Sequence, residues 1–251
     1  MPVRSPRARL ALLSAAVLLN GLAWGWLLYP GTDDYLARGE MTPAAAAAPL
    51  ALTNPGLAGP YPVSSLTYGS GTDRQRNEFG AEASLITPTV DGAAIYPGFA
   101  GLGGIVANWF WGFDTSQLPL NGRAWYPQGG GPFPLVLIVH GNHSMANFSD
   151  RGYAYLGEHL ASRGMIAVSV DENFLNGYML ADGAGQEMPL RAWLLLKHLQ
   201  QWRTWNETPE NPFYGRVDLN RVALIGHSRG GEAVTHAALL NTHLYAPVTR
   251  A

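Results

Sequence analysis

The sequence contains no cysteine, and its charge is sparse and nearly balanced. The missing thiols exclude disulfides and thiolate metal sites, and they leave the compartment of the protein open. Aspartate and glutamate number 18 against 16 lysines and arginines, which gives a net charge of −2. A chain without a basic excess gives no indication of a nucleic-acid partner. Hydrophobic residues make up 47% of the 251 positions, which is enough for the core of one large α/β domain with appendages.

Residues 1–29 have the composition of a membrane anchor or a signal segment. Arginines stand at positions 4, 7 and 9, and residues 10–29 form an uncharged, mostly apolar run. A helix needs about 20 apolar residues to cross a bilayer, whereas the apolar part of a cleaved signal is usually shorter. The length therefore favours an uncleaved anchor over a cleaved signal. The arginines before the run, with Asp33 and Asp34 after it, predict that the N-terminus lies inside and the domain outside the cytoplasm. A cleaved signal would also place the domain outside, as a secreted protein.

Residues 30–60 are rich in proline and alanine, which predicts a linker between the membrane segment and a domain at residues 61–251. Three short strands are expected early in this domain, at residues 61–68, 81–89 and 122–126. The segment 97–113 is apolar, uncharged and rich in glycine. This composition favours a packed loop or a membrane-facing lid over a second membrane span.

From residue 135 onward, apolar runs alternate with helical patterns. Buried strands are predicted at residues 135–139, 165–170 and 222–225, and helices at residues 150–163, 188–205 and 228–240. Strands that alternate with helices in this way predict a parallel sheet whose crossovers are right-handed. The predicted fold class is therefore α/β.

The pattern Gly226-His227-Ser228-Arg229-Gly230 lies between the last strand and the last helix. A strand that turns directly into a helix strains the residue at the bend and holds the Ser228 hydroxyl clear of the backbone. Gly226 and Gly230 must be small, because a side chain there would strike the crossing strand or helix. The N-terminus of the helix also directs its partial positive charge at this place. In this arrangement the chain resembles the α/β-hydrolase superfamily, and the pattern looks like its nucleophile elbow.

The resemblance implies that Ser228 is a catalytic nucleophile and that backbone N–H groups hold the oxyanion formed by its attack. The segment His140-Gly141-Asn142 follows the first buried strand, where the superfamily places an oxyanion loop. The resemblance makes the Asn142 N–H one donor, on a loop shaped by Gly141, and the Arg229 N–H the other. An ordinary loop is the alternative interpretation for Asn142.

His140 and His143 are also candidates for a pair of metal ligands. No third ligand accompanies them at a recognisable spacing, and the His-Glu-x-x-His pattern is absent from the sequence. We therefore expect no metal and no cofactor, and we expect His140 to brace the oxyanion loop.

A serine nucleophile needs a base that removes its proton and a carboxylate that orients the base. The superfamily takes both from loops after later strands, in the order serine, acid, histidine. The histidines that follow Ser228 by more than a turn are His236, about 12 Å along the helix, and His243, which is further away. The carboxylate after the nucleophile is Glu232, which we expect to pair with Arg229 or to interact with the helix dipole. None of these groups is suited to act as the base or as the orienting carboxylate of a serine triad.

Asp171 and Glu172 end the second buried strand on the active-site side and are candidates to line the pocket, although the superfamily does not take its acid from there. The resemblance covers residues 134–241 well and residues 61–133 weakly. We therefore expect the N-terminal half of an α/β-hydrolase fold, with antiparallel strands leading into the parallel ones. The chain is expected to be C-terminally incomplete and inactive without the acid and the histidine. An apolar strand at residues 222–225 that no later strand covers on one side is an aggregation hazard, which agrees with this expectation.

Within the superfamily, the elbow and the stretch 156–170 are most similar to secreted polyester hydrolases and to chlorophyllase-like and dienelactone-hydrolase-like esterases. This resemblance implies a serine hydrolase of small-molecule or polymeric carboxylic esters, and the anchor with segment 97–113 points to a hydrophobic ester. Two other classes stay open: a membrane-tethered binding module with the same fold but no catalysis, and a structural protein whose elbow is fortuitous. A fluorophosphonate probe distinguishes them, because only an activated serine is labelled.

Overall fold

The computed structural model describes residues 6–29, 54–177 and 186–242. The chain forms two units, Met1–Thr53 and Asn54–Ala251. In the first unit, helix α1 spans Pro6–Leu27. Its length and apolar composition are sufficient to cross a membrane, and it is the one such helix in the described part of the chain. Most of the predicted linker, residues 30–53, lies outside the described residues.

In the second unit, strands and helices alternate along the chain. The strands are β1 (Val63–Gly69), β2 (Leu85–Ile86), β3 (Asn121–Pro127), β4 (Phe133–Val139), β5 (Ile166–Asp171) and β6 (Val217–Gly226). The helices are α2 (Gly101–Trp111), α3 (Ala154–Ser162), α4 (Met188–Glu207) and α5 (Arg229–Leu240), and 3₁₀ turns lie at Asp150–Tyr153 and Asn173–Leu175. The alternation predicted from residue 135 onward is confirmed, and the fold is α/β.

The six strands form one sheet in the order β2-β1-β3-β5-β4-β6. Strand β3 is antiparallel to β1 and β5, whereas β4 is parallel to both β5 and β6. The register pairs Val139 with Val170 on one side and with Gly226 on the other. The carboxyl ends of the three parallel strands therefore meet at one edge of the sheet, which brings the residues that follow each strand together.

Strands β4 and β5 are buried along nearly their whole length, which accounts for their continuous apolar sequences. Helix α4 covers the sheet with its predicted apolar face, where Ala192, Leu195 and Trp202 are fully buried. The N-terminal half of α4 buries its other face as well, because Leu190 and Leu194 enter a second apolar cluster that includes α2. This second burial holds the start of α4 close to the end of the sheet where the strands meet.

Helix α2 lies in segment 97–113, where the composition predicted a packed loop or a lid. With 11 residues it is about 16 Å long, which is too short to span a bilayer. Its Trp111 ring lies 6.2 Å from the Phe148 ring and 6.5 Å from the Phe174 ring, measured between centroids. These two phenylalanines follow β4 and β5, so α2 packs at the same edge of the sheet as the residues after the parallel strands.

Two strand predictions need correction. The segment 81–89 contributes only Leu85–Ile86, and this short strand is parallel to β1 rather than part of an antiparallel lead-in. The segment 222–225 was predicted to be buried, yet Val222 and Ile225 are 38% and 37% exposed. Strand β6 is the edge strand of the sheet within the described residues, so no neighbour there covers its outer side.

Candidate active site

Ser228 occupies the turn between β6 and α5 in a strained backbone conformation. Its φ is +54° and its ψ is −122°. A residue with a side chain in this region costs on the order of 1–3 kcal/mol and persists only where the surroundings hold it. Two hydrogen bonds do so: the His227 N–H donates to the Val139 carbonyl at 3.1 Å, and the Gly231 N–H donates to the Ser228 carbonyl at 2.9 Å. The strained turn predicted from the sequence is therefore present, and its serine is exposed to solvent.

Gly226 and Gly230 lie where a side chain has no room. A Cβ on Gly226 would be 2.1 Å from the Gly230 carbonyl oxygen, and a Cβ on Gly230 would be 2.4 Å from the Val139 carbonyl oxygen. Both obstacles are backbone atoms, which cannot rotate away. A Cβ on Gly231 would meet nothing closer than 3.6 Å, which is an ordinary contact. The predicted steric requirement thus holds for the two glycines that flank the serine.

The loop after β4 lies directly against the serine. A Cβ on Gly141 would be 2.8 Å from the Ser228 Cβ and 3.1 Å from the His227 carbonyl oxygen, so this approach requires glycine. Within the described ranges, the Asn142 N–H donates to no other group of the protein. The Arg229 N–H opens α5 and likewise has no acceptor in that part of the chain. Among the described residues, the two N–H groups singled out in the sequence are therefore unpaired, and they lie on the two segments next to Ser228.

His140 braces the loop after β4, as predicted. The Glu172 N–H donates to His140 Nε2 at 3.0 Å. The proton of the neutral ring is therefore on Nδ1, which donates to the Gly141 carbonyl at 2.7 Å. Burial, aided by the nearby Arg191 charge, lowers the pKa of His140 to about 4. The ring is neutral at pH 7, and both of its nitrogens are engaged in hydrogen bonds rather than free for a metal.

Asp171 and Glu172 lie at the end of β5, and both are fully buried. Arg76 Nη2 donates to Asp171 at 2.6 Å, and Arg191 Nη1 donates to Glu172 at 3.2 Å. Burial opposes ionisation of Asp171, but the Arg76 guanidinium holds the pKa of this carboxyl below its usual range. Burial raises the pKa of Glu172 to about 8 against the opposing effect of Arg191. Both side chains are withdrawn from solvent and paired with arginines, and their predicted place in the lining of a substrate pocket stays a prediction.

Arg229 pairs with Glu187, the residue before α4, rather than with Glu232. Its Nη1 donates to Glu187 Oε1 at 2.5 Å, and the Glu187 side chain is fully buried. Glu232 is exposed in the first turn of α5. The predicted pair with Glu232 was wrong, because solvent screens an exposed carboxylate far more than a buried one. The sequence carried no signal for Glu187, which is 42 positions from Arg229 and belongs to no recognised motif.

The described residues provide no base for the serine. Across residues 54–177 and 186–242, no hydrogen bond joins the Ser228 hydroxyl to a histidine or a carboxylate. His236 lies two turns along α5, and His243 lies outside the described residues. In the same part of the chain, no three metal-ligating side chains cluster. In the described part of the chain, the site therefore consists of a strained serine beside two N–H groups that donate no hydrogen bond.

A family model described as PET hydrolase-like matches residues 120–251, from the start of β3 through the loop after β4 to the elbow and beyond. No protein with a curated description matches the chain. The matched segment is more than half of the 251 residues, and it contains both the strained serine and the glycine loop against it. The chain belongs to the PET hydrolase-like family, within the α/β-hydrolase superfamily of esterases.

Proposed function

We propose that this protein hydrolyses carboxylic esters through an acyl-enzyme on Ser228. The observation that carries the proposal is the backbone of Ser228, with φ of +54° at the edge of the sheet where the parallel strands end. A structural turn or a binding module has no use for this strain, whereas a nucleophile gains exposure from it. Membership of a family of ester hydrolases supports the same reaction.

The reaction consists of two acyl transfers. In the first, Ser228 Oγ bonds to the carbonyl carbon, its proton passes to a base, and the ester C–O bond breaks to release the alcohol with that proton. In the second, water adds to the acyl carbon, the acid departs, and Oγ recovers a proton. Each step passes through a tetrahedral oxyanion, which we assign to the N–H groups of Asn142 and Arg229. Loss of one such donor typically lowers kcat about 10²- to 10³-fold.

A hydrophobic ester is the proposed substrate class. Helix α2 packs against the residues after β4 and β5, and its outer face exposes Leu102, Ile105 and Trp109 by 80%, 66% and 78%. No residue of α2 is charged. An uncovered apolar face of this kind marks a contact site for an apolar ligand or surface, so it supports a substrate with a long acyl chain or a polymer.

The proposed function is tested with p-nitrophenyl esters and the protein expressed from its complete native gene. We expect a rapid release of about one p-nitrophenol per protein, followed by slower steady turnover, because the acyl-enzyme accumulates. We also expect kcat/KM to be higher for the octanoate than for the acetate ester. A folded protein that binds the esters without releasing p-nitrophenol would instead be the binding module of the alternative hypothesis.

We further propose that residues 10–29 anchor the protein in a membrane with the domain outside the cytoplasm. The support is α1, a helix long enough to cross a membrane, whose apolar run follows arginines at positions 4, 7 and 9. Reporter fusions after residue 60 should be active only in the exported compartment. A cytoplasmic reporter signal would refute the orientation, and a mature N-terminus near residue 30 would favour a cleaved signal.

A further inference from the structure

The side chain of Arg229, whose N–H is one proposed oxyanion donor, is tied to the start of α4. Its Nη1 donates to Glu187 Oε1 at 2.5 Å, with the Arg229 side chain 22% exposed and that of Glu187 not exposed at all. A charge-assisted bond to a carboxylate withdrawn from water is strong and little screened. The residue after Ser228 is therefore held at two places, by its own helix and by Glu187.

Glu187 is held in turn by Arg191, one turn into α4. Arg191 Nε lies 3.6 Å from Glu187 Oε1, and the Arg191 N–H donates to the Glu187 carbonyl at 3.0 Å. The rest of the guanidinium donates to Glu172 at 3.2 Å and to Asn176 Oδ1 at 2.6 Å. All four side chains are fully buried. The contacts with Arg191 offset only part of the removal from water, because Glu187 Oε2, Glu172 Oε1 and Arg191 Nε form no hydrogen bond within the described residues. The position of the Glu187 carboxylate is set by its Oε1, which contacts both Arg191 and Arg229.

Two further hydrogen bonds connect Glu172 to the loop that carries Asn142, the second proposed oxyanion donor. Glu172 bonds through its N–H to His140, and His140 bonds to the Gly141 carbonyl. Gly141 packs against Ser228 and directly precedes Asn142. A polar path thus joins the two segments that carry the proposed oxyanion donors. It consists of Arg229, Glu187, Arg191, Glu172, His140 and Gly141.

We propose that Glu187 is a positioning residue, which fixes the direction of the Arg229 N–H through the Arg229 side chain. The inference rests on the proposed function, because the direction of this N–H matters only where an oxyanion forms beside Ser228. A donor must lie within hydrogen-bond reach of the oxygen as charge develops on it, whereas the ground-state ester needs no such alignment. Loss of Glu187 therefore acts on kcat and not on KM.

Two variants test the inference in the protein expressed from its complete native gene, with p-nitrophenyl butyrate as substrate. Glu187→Gln keeps the shape and removes the charge, while Arg229→Met removes the partner but keeps the backbone N–H. Each is expected to lower kcat about 10- to 100-fold with KM nearly unchanged, as a small misplacement of a catalytic group does. The double variant should be no slower than the slower single variant, because both changes remove one contact.

The matched control is Glu207→Gln, which removes the same charge from an exposed position at the far end of α4 and should keep kcat. Melting temperatures separate loss of fold from loss of alignment, and Arg229→Met keeps the test valid if Glu187→Gln does not fold. Unchanged kcat in the folded variants, beside an inactive Ser228→Ala, overturns this inference alone. Additive losses in the double variant also overturn it. Turnover retained by Ser228→Ala overturns the proposed function itself.

Discussion

Replacing Ser228 with alanine is expected to lower kcat for p-nitrophenyl butyrate by about 10⁶-fold in the protein expressed from its complete native gene. The hydroxyl forms the covalent bond to the substrate, and its neighbours Gly141 and Arg229 bring no other nucleophile to the same place. The oxyanion donors and binding should still leave a residual rate about 10³- to 10⁴-fold above that in water. The fold should be kept, because the deleted hydroxyl is exposed and accepts or donates no hydrogen bond within the described residues.

The matched control for this variant is Thr235→Ala, which deletes an exposed hydroxyl from the same helix. Thr235 Oγ1 donates to the Gly231 carbonyl at 3.0 Å and forms no hydrogen bond with Ser228, Arg229 or Asn142 within the described residues, so kcat should be unchanged. Full turnover by Ser228→Ala, in a preparation free of host esterases, would show that another residue is the nucleophile.

Replacing Gly230 with alanine is expected to remove most of the activity and to destabilise the fold by about 3 kcal/mol. The new methyl would lie 2.4 Å from the Val139 carbonyl oxygen and 2.8 Å from that of His140. Helix α5 must move away from β4 to relieve these contacts, and Ser228 and the Arg229 N–H move with it. A displacement of about 1 Å at a reacting group typically costs about 10²-fold in rate, which kinetics and urea unfolding of the variant will measure.

Gly231→Ala is the control for this steric argument, since it adds the same methyl one residue later. The nearest atom would be 3.6 Å away, and the position is inside helix α5. Alanine is favoured over glycine in a helix by about 0.5–1 kcal/mol, so stability should stay the same or rise. Equal losses in both variants, or a folded Gly230→Ala with normal kcat, would contradict the account of the elbow.

The sequence predicted the elements whose environment is uniform along their length. Strands β4 and β5 are buried on both faces, so their apolar runs are continuous and their positions follow from composition alone. The elbow was predicted for a different reason, because its backbone conformation requires glycine at Gly226 and Gly230. A local constraint of this kind determines the residue type at a given position, so it can be predicted from the sequence.

Elements that depend on distant partners were predicted poorly. Helix α2 has three glycines in its first turn, and glycine disfavours a helix by about 1 kcal/mol each. Its Trp111 packs against Phe148 and Phe174, which the linear sequence does not associate with it. The exposed part of β6 was predicted to be buried, because its apolar residues are those of a covered strand while no covering strand lies within the described residues.

The partner of Arg229 shows the same limit within the site. Sequence spacing on a helix favours Glu232, three positions away, because such pairs face each other on a helix surface. The structure instead pairs Arg229 with Glu187, the residue directly before α4. The N-terminal half of α4 is buried on both faces, and this packing places Glu187 beside the elbow. A buried carboxylate outcompetes an exposed one, and burial at that position depends on the packing of the whole domain.

The central claim, that Ser228 is an activated nucleophile, is tested most directly by locating a fluorophosphonate adduct. Trypsin should cut after Arg221 and Arg229 and release residues 222–229, a peptide whose one hydroxyl belongs to Ser228. After the native protein is labelled, mass spectrometry should find the phosphonate mass on this peptide, and no labelling should occur in Ser228→Ala. An adduct on another peptide, or equal labelling of the alanine variant, would contradict the claim.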